Sequence, residues 1–174
     1  MRSRLEKRFT FLYTGEAAAM VVFIFVSFLW HLSFPGLGLF YLFSFWVSFL
    51  LLLFLLMQGS YYWYSKRRRL KKEGTSITPD RVVQYLWRMK RWNVIWIWIA
   101  PLSFFIDVYI WYPSLPLGMA IALFIYIFSI LEYINYFHLQ LSYDNVSDIK
   151  YLAKTRRLKQ ACISKDFVRK RLNR

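Results

Sequence analysis

The feature that most constrains this chain is the confinement of every Lys and Arg to three short segments. The 24 basic residues lie before residue 11, between residues 66 and 91, and after residue 149. The stretches between these segments are long and apolar. Because a soluble surface could not carry both this apolar character and a formal charge of +15, the pattern predicts an all-α membrane protein with basic juxtamembrane segments.

Four apolar stretches are long enough to cross a bilayer as helices. A spanning helix needs about 20 mostly apolar residues, and these runs lack the alternation that marks a membrane β-strand. The predicted spans are residues 11–32, 37–57, 92–112 and 117–136. We therefore expect two transmembrane helical hairpins, in residues 1–91 and 92–174, each followed by a basic segment.

The basic segments also predict the orientation of the chain. Positively charged loops stay on the cytosolic side of a membrane, and the connections after the first and third spans contain no Lys or Arg. We therefore expect a multi-pass protein of the plasma (inner) membrane with both termini in the cytosol.

The two halves of the chain share short patterns. W-x-x-S-x-P occurs at Trp30–Pro35 and at Trp111–Pro116, and R-R-L-K occurs at 68–71 and 156–159. A duplicated hairpin would account for both repeats. The alternative is that basic tails and proline turns resemble one another because their composition is biased.

The basic segments are expected to contain amphipathic helices. Thr78 before Pro79 and Asp80 is a typical helix start, and a second one follows Ser147-Asp148. Such helices beside a membrane usually lie on anionic headgroups, and the alternative is that they bind a nucleotide, a phosphorylated sugar or a protein partner. The residues expected to contact anionic lipid or a partner are Arg67, Arg68, Arg69, Lys71, Arg156 and Arg157.

Three acidic residues fall within the predicted spans and are candidate functional groups. Glu16 and Glu132 lie in the half of the first and fourth spans nearest the basic segments, and Asp107 lies in the opposite half of the third. Acids at this depth are costly, so a function is the default hypothesis. The alternative is an interfacial acid paired with Arg, Lys or Tyr.

Further polar residues follow Glu132 at the end of the fourth span. Helical spacing puts Asn135 on the face of Glu132, whereas His138 lies elsewhere around the helix. This stripe is expected to face other helices, where polar side chains join helices together. The candidate functional polar residues are thus Glu16, Asp107, Glu132, Asn135 and His138.

Several kinds of site are not expected from this sequence. The two histidines, His31 and His138, lie at opposite ends of the spans, about 30 Å apart, so they cannot share a metal. The single cysteine, Cys162, cannot form an internal disulfide. The sequence contains neither a glycine-rich phosphate loop nor a nucleophile elbow. We expect no metal, no cofactor and no nucleic-acid partner.

One stretch resembles a known family. Tyr64-Ser65-Lys66 after a helical hairpin, then basic residues and Ile77–Asp80, is similar to the accessory subunit of bacterial poly-N-acetylglucosamine synthases. That family has a two-helix hairpin with a basic cytosolic tail. The resemblance covers residues 37–90 and implies an accessory role in envelope polysaccharide synthesis or export, but this chain has a second hairpin that the family lacks.

The expected function is that of a small non-catalytic accessory or scaffold subunit of a membrane complex. Its partners would be anionic lipid headgroups and either another protein or a second copy of the chain. One alternative is a small dimeric proton- or cation-coupled transporter or channel that uses the acids. The other is a membrane enzyme acting on lipid headgroups at the inner face, where Glu132, Asn135, His138 and Arg91 could meet.

Overall fold

Helices make up most of the described chain. The computed structural model describes residues 2–142, 150, 154–155 and 158–172. Among these residues no strand occurs, and Leu139 forms an isolated bridge with Gln160. The helices are α1 (Arg2–Ser33), α2 (Phe43–Glu73), α3 (Asp80–Trp111), α4 (Gly118–Phe137) and α5 (Cys162–Leu172). α1 to α4 are each long and apolar enough to cross a membrane, so the prediction of an all-α protein with four candidate spans is confirmed.

Three of these helices extend well beyond the predicted spans. α1 begins at Arg2 rather than at residue 11, α2 continues to Glu73, and α3 already begins at Asp80. Lys and Arg are good helix formers, so a helix nucleated in the apolar stretch continues through the basic residues next to it. α2 ends where Gly74 adopts a left-handed conformation, with φ 70°, and its N–H donates to the Leu70 carbonyl at 3.1 Å.

The structure corrects the predicted helix start at Thr78. α3 begins at Asp80, Pro79 precedes it, and no side chain caps it. The Thr78 hydroxyl donates instead to the Asp166 carboxylate. The apolar face of this part of α3 is not free for lipid, because Val82 and Leu86 are buried against protein. The second predicted amphipathic helix, after Ser147-Asp148, lies outside the described residues.

α2 is the central helix, and α1, α3 and α4 pack around it. Of its most apolar stretch 56% is buried, against 6% for α1, so α1 lies at the periphery. α1 and α2, the first pair along the chain, pack closely on each other. α3 and α4, the second pair, each pack mainly on α2 and only slightly on each other. The contacts of the first pair of helices are therefore not repeated in the second pair.

Large apolar side chains cover the outer surface of the bundle. Tyr109 is 88% exposed, and Trp98, Phe105, Phe11 and Phe124 are each at least 69% exposed. A water-soluble protein rarely exposes contiguous apolar surface of this extent, whereas lipid tails surround it at no cost. The exposed surface therefore agrees with a multi-pass membrane protein.

The short connections meet at one end of the bundle, which we call the turn end. Two 3₁₀ turns, Pro35–Leu37 and Leu39–Tyr41, join α1 to α2. Gly118 packs so closely against the Leu37 carbonyl and Leu39 that a Cβ atom there would overlap backbone. Gly38, with φ 61°, lies against Pro116. Both turns thus depend on a glycine where they touch.

The other end, which we call the basic end, contains α5. At this end the Arg2 guanidinium donates to the carbonyls of Leu70 and Lys71, at 3.0 and 2.8 Å, so the start of α1 lies beside the end of α2. The Lys170 ammonium donates to the Asp80 carbonyl at 3.2 Å and joins α5 to the start of α3.

Asp166 attaches α5 to α2 and to the residues before α3. Its carboxylate is 6% exposed and accepts hydrogen bonds from the hydroxyls of Tyr62, at 2.7 Å, and Thr78. It also forms ion pairs with Lys66 at 3.4 Å and Arg169 at 3.2 Å. These contacts compensate the charge of a buried carboxylate, so Asp166 has a structural role.

A pair of buried amides joins α2 to α3. Gln58 and Asn93, which are 1% and 0% exposed, each donate to the other's oxygen at 2.9 Å. Amide pairs of this kind satisfy donors and acceptors that would otherwise be unpaired in an apolar interior.

Candidate functional site

Two acids predicted to be functional come together in one cleft. Glu16 from α1 and Glu132 from α4 line a cleft of about 310 Å³ between α1, α2 and α4. The Tyr136 side chain, buried on α4, lies beside both carboxyl groups. Glu16 lies about 7 Å, or five residues, beyond residue 11, which places the pair within the apolar part of the bundle.

Gly59 on α2 provides the space for Glu16. A Cβ atom at Gly59 would overlap the Glu16 carboxyl group, so only glycine allows the acid to lie flat against α2. Small residues let membrane helices approach closely, and here the space left by glycine holds the Glu16 carboxyl group between α1 and α2. By contrast, a Cβ atom at Gly15 would meet nothing within 4 Å.

Asn135 fixes both Glu132 and the end of α4. Its amide donates to Oε2 of Glu132 at 3.3 Å, and its oxygen accepts from the N–H groups of Leu141 and Ser142, at 2.9 and 3.3 Å. The side chain therefore positions one acid of the cleft and also closes the turn after the helix.

Two acids, Glu16 and Glu132, and one base, Arg8, are the charged groups among the described residues that line the cleft. Oε2 of Glu16 is buried and has no hydrogen-bond partner among them. The ion pairs described for this chain, Lys66–Asp166, Arg69–Glu73 and Arg169–Asp166, do not include Glu16 or Glu132. A buried carboxylate is costly when its neighbours are neutral groups such as Tyr136, and a proton or a bound cation would remove that cost.

Aromatic rings make up much of the remaining wall. Phe11, Phe23, Trp63 and Phe128 line the cleft together with the two acids. Arg8, Gln140 and Ser142 line the part nearest the basic end. Aromatic faces beside carboxylates attract cations, including organic ammonium groups, by their ring quadrupoles. The chemistry of the cleft is therefore suited to a proton, a metal cation or an ammonium group.

Asp107 does not belong to this cleft. It lies at the turn end, fully buried, and its two oxygens accept from the N–H groups of Phe43 and Ser44, at 3.0 and 2.7 Å. These are first-turn amides of α2, which Leu42 before them cannot cap with its own side chain. Asp107 is thus a helix cap from another helix, rather than an acid paired with Arg, Lys or Tyr.

His138 and Arg91 contact other residues of the bundle. The His138 ring packs on Tyr133 with centroids 5.4 Å apart, and its carbonyl accepts from the N–H of Ala161 at 3.1 Å. Partial burial lowers the pKa of His138, and the neighbouring Lys90 charge lowers it further. The Arg91 guanidinium lies over the Trp87 ring at 4.4 Å. Neither side chain is among the described residues that line the cleft.

The basic residues expected to contact lipid or a partner differ in their availability. Arg67 lies over the Tyr13 ring at 5.5 Å, and Arg69 is paired with Glu73 at 2.6 Å. Arg68 and Lys71 are exposed. Arg156 and Arg157 lie outside the described residues.

Among the residues that the structure describes, no group of three or more His, Cys, Asp or Glu comes together to hold a metal ion.

Sequence reasoning missed Gly59 and Trp63 as parts of the site. A glycine within an apolar helix is a signal for close helix packing, but it does not tell which residue fills the space.

No family model, curated protein or solved structure matches this chain.

Proposed function

We propose that this protein is a small membrane transporter that binds a proton or another cation between Glu16 and Glu132. The observation that carries the proposal is the meeting of two acids from different helices against Tyr136, with one buried carboxyl oxygen unpartnered. Protonation or cation binding would offset the cost of this arrangement, and alternation between the two states is what coupled transport requires.

The proposal includes the orientation and organisation of the chain. We place the basic end, with both termini, in the cytosol of the plasma (inner) membrane, because all 24 basic residues lie in segments at or near it along the sequence. Residues 1–91 and 92–174 are then two hairpins of a duplicated unit whose packing has diverged, since α3 and α4 pack mainly on α2 and little on each other. Four spans are few for alternating access, so two copies would form the working unit.

Cation flux into liposomes containing the purified protein tests this function. A dye inside the vesicles would report proton movement when gradients of Na⁺, K⁺ or tetramethylammonium are imposed. We expect Glu16→Gln and Glu132→Gln each to reduce the flux at least about tenfold, because an amide cannot take up a proton or neutralise a cation.

Glu73→Gln is the matched control for these variants. Glu73 is an exposed acid at the end of α2, paired with Arg69, and its replacement should leave the flux unchanged. Flux that is equal in the wild type, Glu16→Gln and Glu132→Gln, or that does not exceed the flux of empty liposomes, would contradict the transport proposal.

Gly59→Ala should impair transport while leaving the fold intact. The added methyl group would push away the Glu16 carboxyl, which is the flexible end of a side chain, so helix packing need not change. We expect roughly a threefold to tenfold loss of flux, which corresponds to an increase of about 1 kcal/mol in the activation free energy of transport. Gly15→Ala on α1, where the methyl group has free space, should retain full flux. Equal flux in both variants would show that the position of Glu16 is unimportant.

A second candidate function is that of an accessory or scaffold subunit of a membrane complex. The resemblance of residues 37–90 to a polysaccharide synthase subunit implies a complex for envelope polysaccharide synthesis or export. This second function is favoured by an apolar groove of about 510 Å³ over α2, between α1 and α3, which would fit a transmembrane helix of a partner. Met20, Leu50, Met57, Trp92 and Trp96 are among its lining residues.

Photocrosslinking in native membranes separates the two functions. A crosslinker at Met57 in the groove should capture a partner that one at Tyr109, on the lipid-facing surface, does not. If Glu16→Gln abolishes flux but leaves that capture unchanged, transport is an activity of this chain itself. Capture without flux in any variant would favour the subunit.

A further inference from the structure

A second cavity, of about 470 Å³, lies at the basic end between α3 and α5. Its described lining residues are Val83, Gln84, Trp87, Arg88, Lys90, Ser164, Phe167, Val168 and Lys170. We propose that this cavity binds the phosphate group of an anionic phospholipid from the adjoining leaflet. The proposal is independent of transport, since none of these residues lines the cleft of Glu16 and Glu132.

The charge of the cavity favours an anion. Arg88, Lys90 and Lys170 contribute positive charge, and Gln84 and Ser164 add neutral hydrogen-bond donors, whereas none of the described lining residues is Asp or Glu. Charge-assisted hydrogen bonds from Arg and Lys are the strongest contacts that a phosphate oxygen makes with side chains.

Lys170 is held in position for such a contact. Its ammonium donates to the Asp80 carbonyl at 3.2 Å, which brings α5 against the start of α3. A lysine ammonium has three donors, so this hydrogen bond leaves two for a ligand. The cation therefore requires little further ordering when a phosphate binds.

The depth of the cavity favours a lipid over a soluble phosphate ester. Lys90 precedes Trp92, where the predicted span begins, by two residues, or about 3 Å along the helix. The cavity thus lies at the level of the headgroups if α3 crosses the membrane as proposed. Trp87 and Phe167 provide apolar walls that a glycerol backbone and the first acyl carbons would cover, and Arg91 stacked on Trp87 fixes the indole.

Binding of short-chain lipids to the detergent-solubilised full chain tests the proposal. Dioctanoyl phosphatidylglycerol, dioctanoyl phosphatidylcholine and glycerol phosphate would be titrated separately, with Kd measured by native mass spectrometry. We expect the phosphatidylglycerol to bind at least about tenfold more tightly than either of the others, because only it combines net negative charge with acyl chains.

The double variant Arg88→Gln/Lys90→Gln should weaken phosphatidylglycerol binding about tenfold to thirtyfold. Arg4→Gln/Lys7→Gln is the matched control, since it removes the same charge from exposed positions on α1. Its Kd should stay within threefold of the wild type, and circular dichroism should show the same helix content for all three proteins.

Three results would overturn the proposal. Equal loss of affinity in both double variants would show a diffuse charge effect, without a site in the cavity. Phosphatidylcholine binding as tightly as phosphatidylglycerol would show an apolar contact alone. Glycerol phosphate binding within threefold of the lipid would assign the cavity to a soluble phosphate ester.

Discussion

Replacing Asp166 by alanine is expected to detach α5 from the bundle and to cost about 3–5 kcal/mol of stability. The substitution removes the acceptor shared by the hydroxyls of Tyr62 and Thr78, both buried. It also leaves the Lys66 ammonium, which donates to Tyr62 at 2.7 Å, without its nearest negative charge. A buried charge that loses its partner is among the most destabilising changes a protein can suffer.

The chain contains its own probe for this event. Cys162 is its single cysteine, begins α5 and is partly buried, so an alkylation rate above that of the wild type reports opening of α5. We expect Asp166→Ala to raise the open population about a hundredfold, the change that roughly 3 kcal/mol would produce, and to make alkylation of Cys162 faster.

Lys165→Ala, an exposed neighbour of Asp166, is the control and should leave the alkylation rate of Cys162 unchanged. Asp166→Asn retains one acceptor oxygen for the two hydroxyls and should give an intermediate rate. An alkylation rate in Asp166→Ala equal to that of the wild type would mean that apolar contacts alone hold α5 in place.

Asp107→Ala is expected to cost about 2–4 kcal/mol, the second largest effect. The variant leaves the N–H groups of Phe43 and Ser44 at the start of α2 without acceptors. Because α2 is the helix on which the others pack, fraying of its first turn should loosen the turn end of the whole bundle. Unfolding in mixed micelles, followed by circular dichroism, measures the loss.

Asp107→Asn keeps one of the two acceptor oxygens and should cost about half as much. Tyr109→Ala, on the exposed surface of the same helix, should change the unfolding midpoint little. The capping role would be contradicted if Asp107→Ala unfolded at the same midpoint as Tyr109→Ala while cation flux was lost, since that pattern belongs to a functional acid.

Local pattern predicted the four candidate spans because hydropathy and length are properties of a continuous stretch. It did not predict where the helices end. The basic residues after Met57 end the apolar stretch, and therefore the predicted span, but they also favour helix, so the helix continues through them. It likewise placed Asn135 on the face of Glu132, because both positions belong to one helix.

The contacts between helices could not be predicted in the same way. Glu16 and Glu132 meet only because α1 and α4 both pack on α2 near Gly59. Its depth in the predicted span made Asp107 a candidate functional residue, but its partners are backbone amides 63 and 64 residues away in the chain, where no residue type indicates that an acceptor is needed.

The peripheral position of α1 has a mechanical consequence. Within the described chain α1 depends mainly on one neighbour, whereas α2, α3, α4 and α5 hold one another. A small swing of α1 would therefore separate the two acids without disturbing the remaining framework. If the proposed cation bridges Glu16 and Glu132, its release and a movement of α1 would therefore be thermodynamically coupled, so that each favours the other.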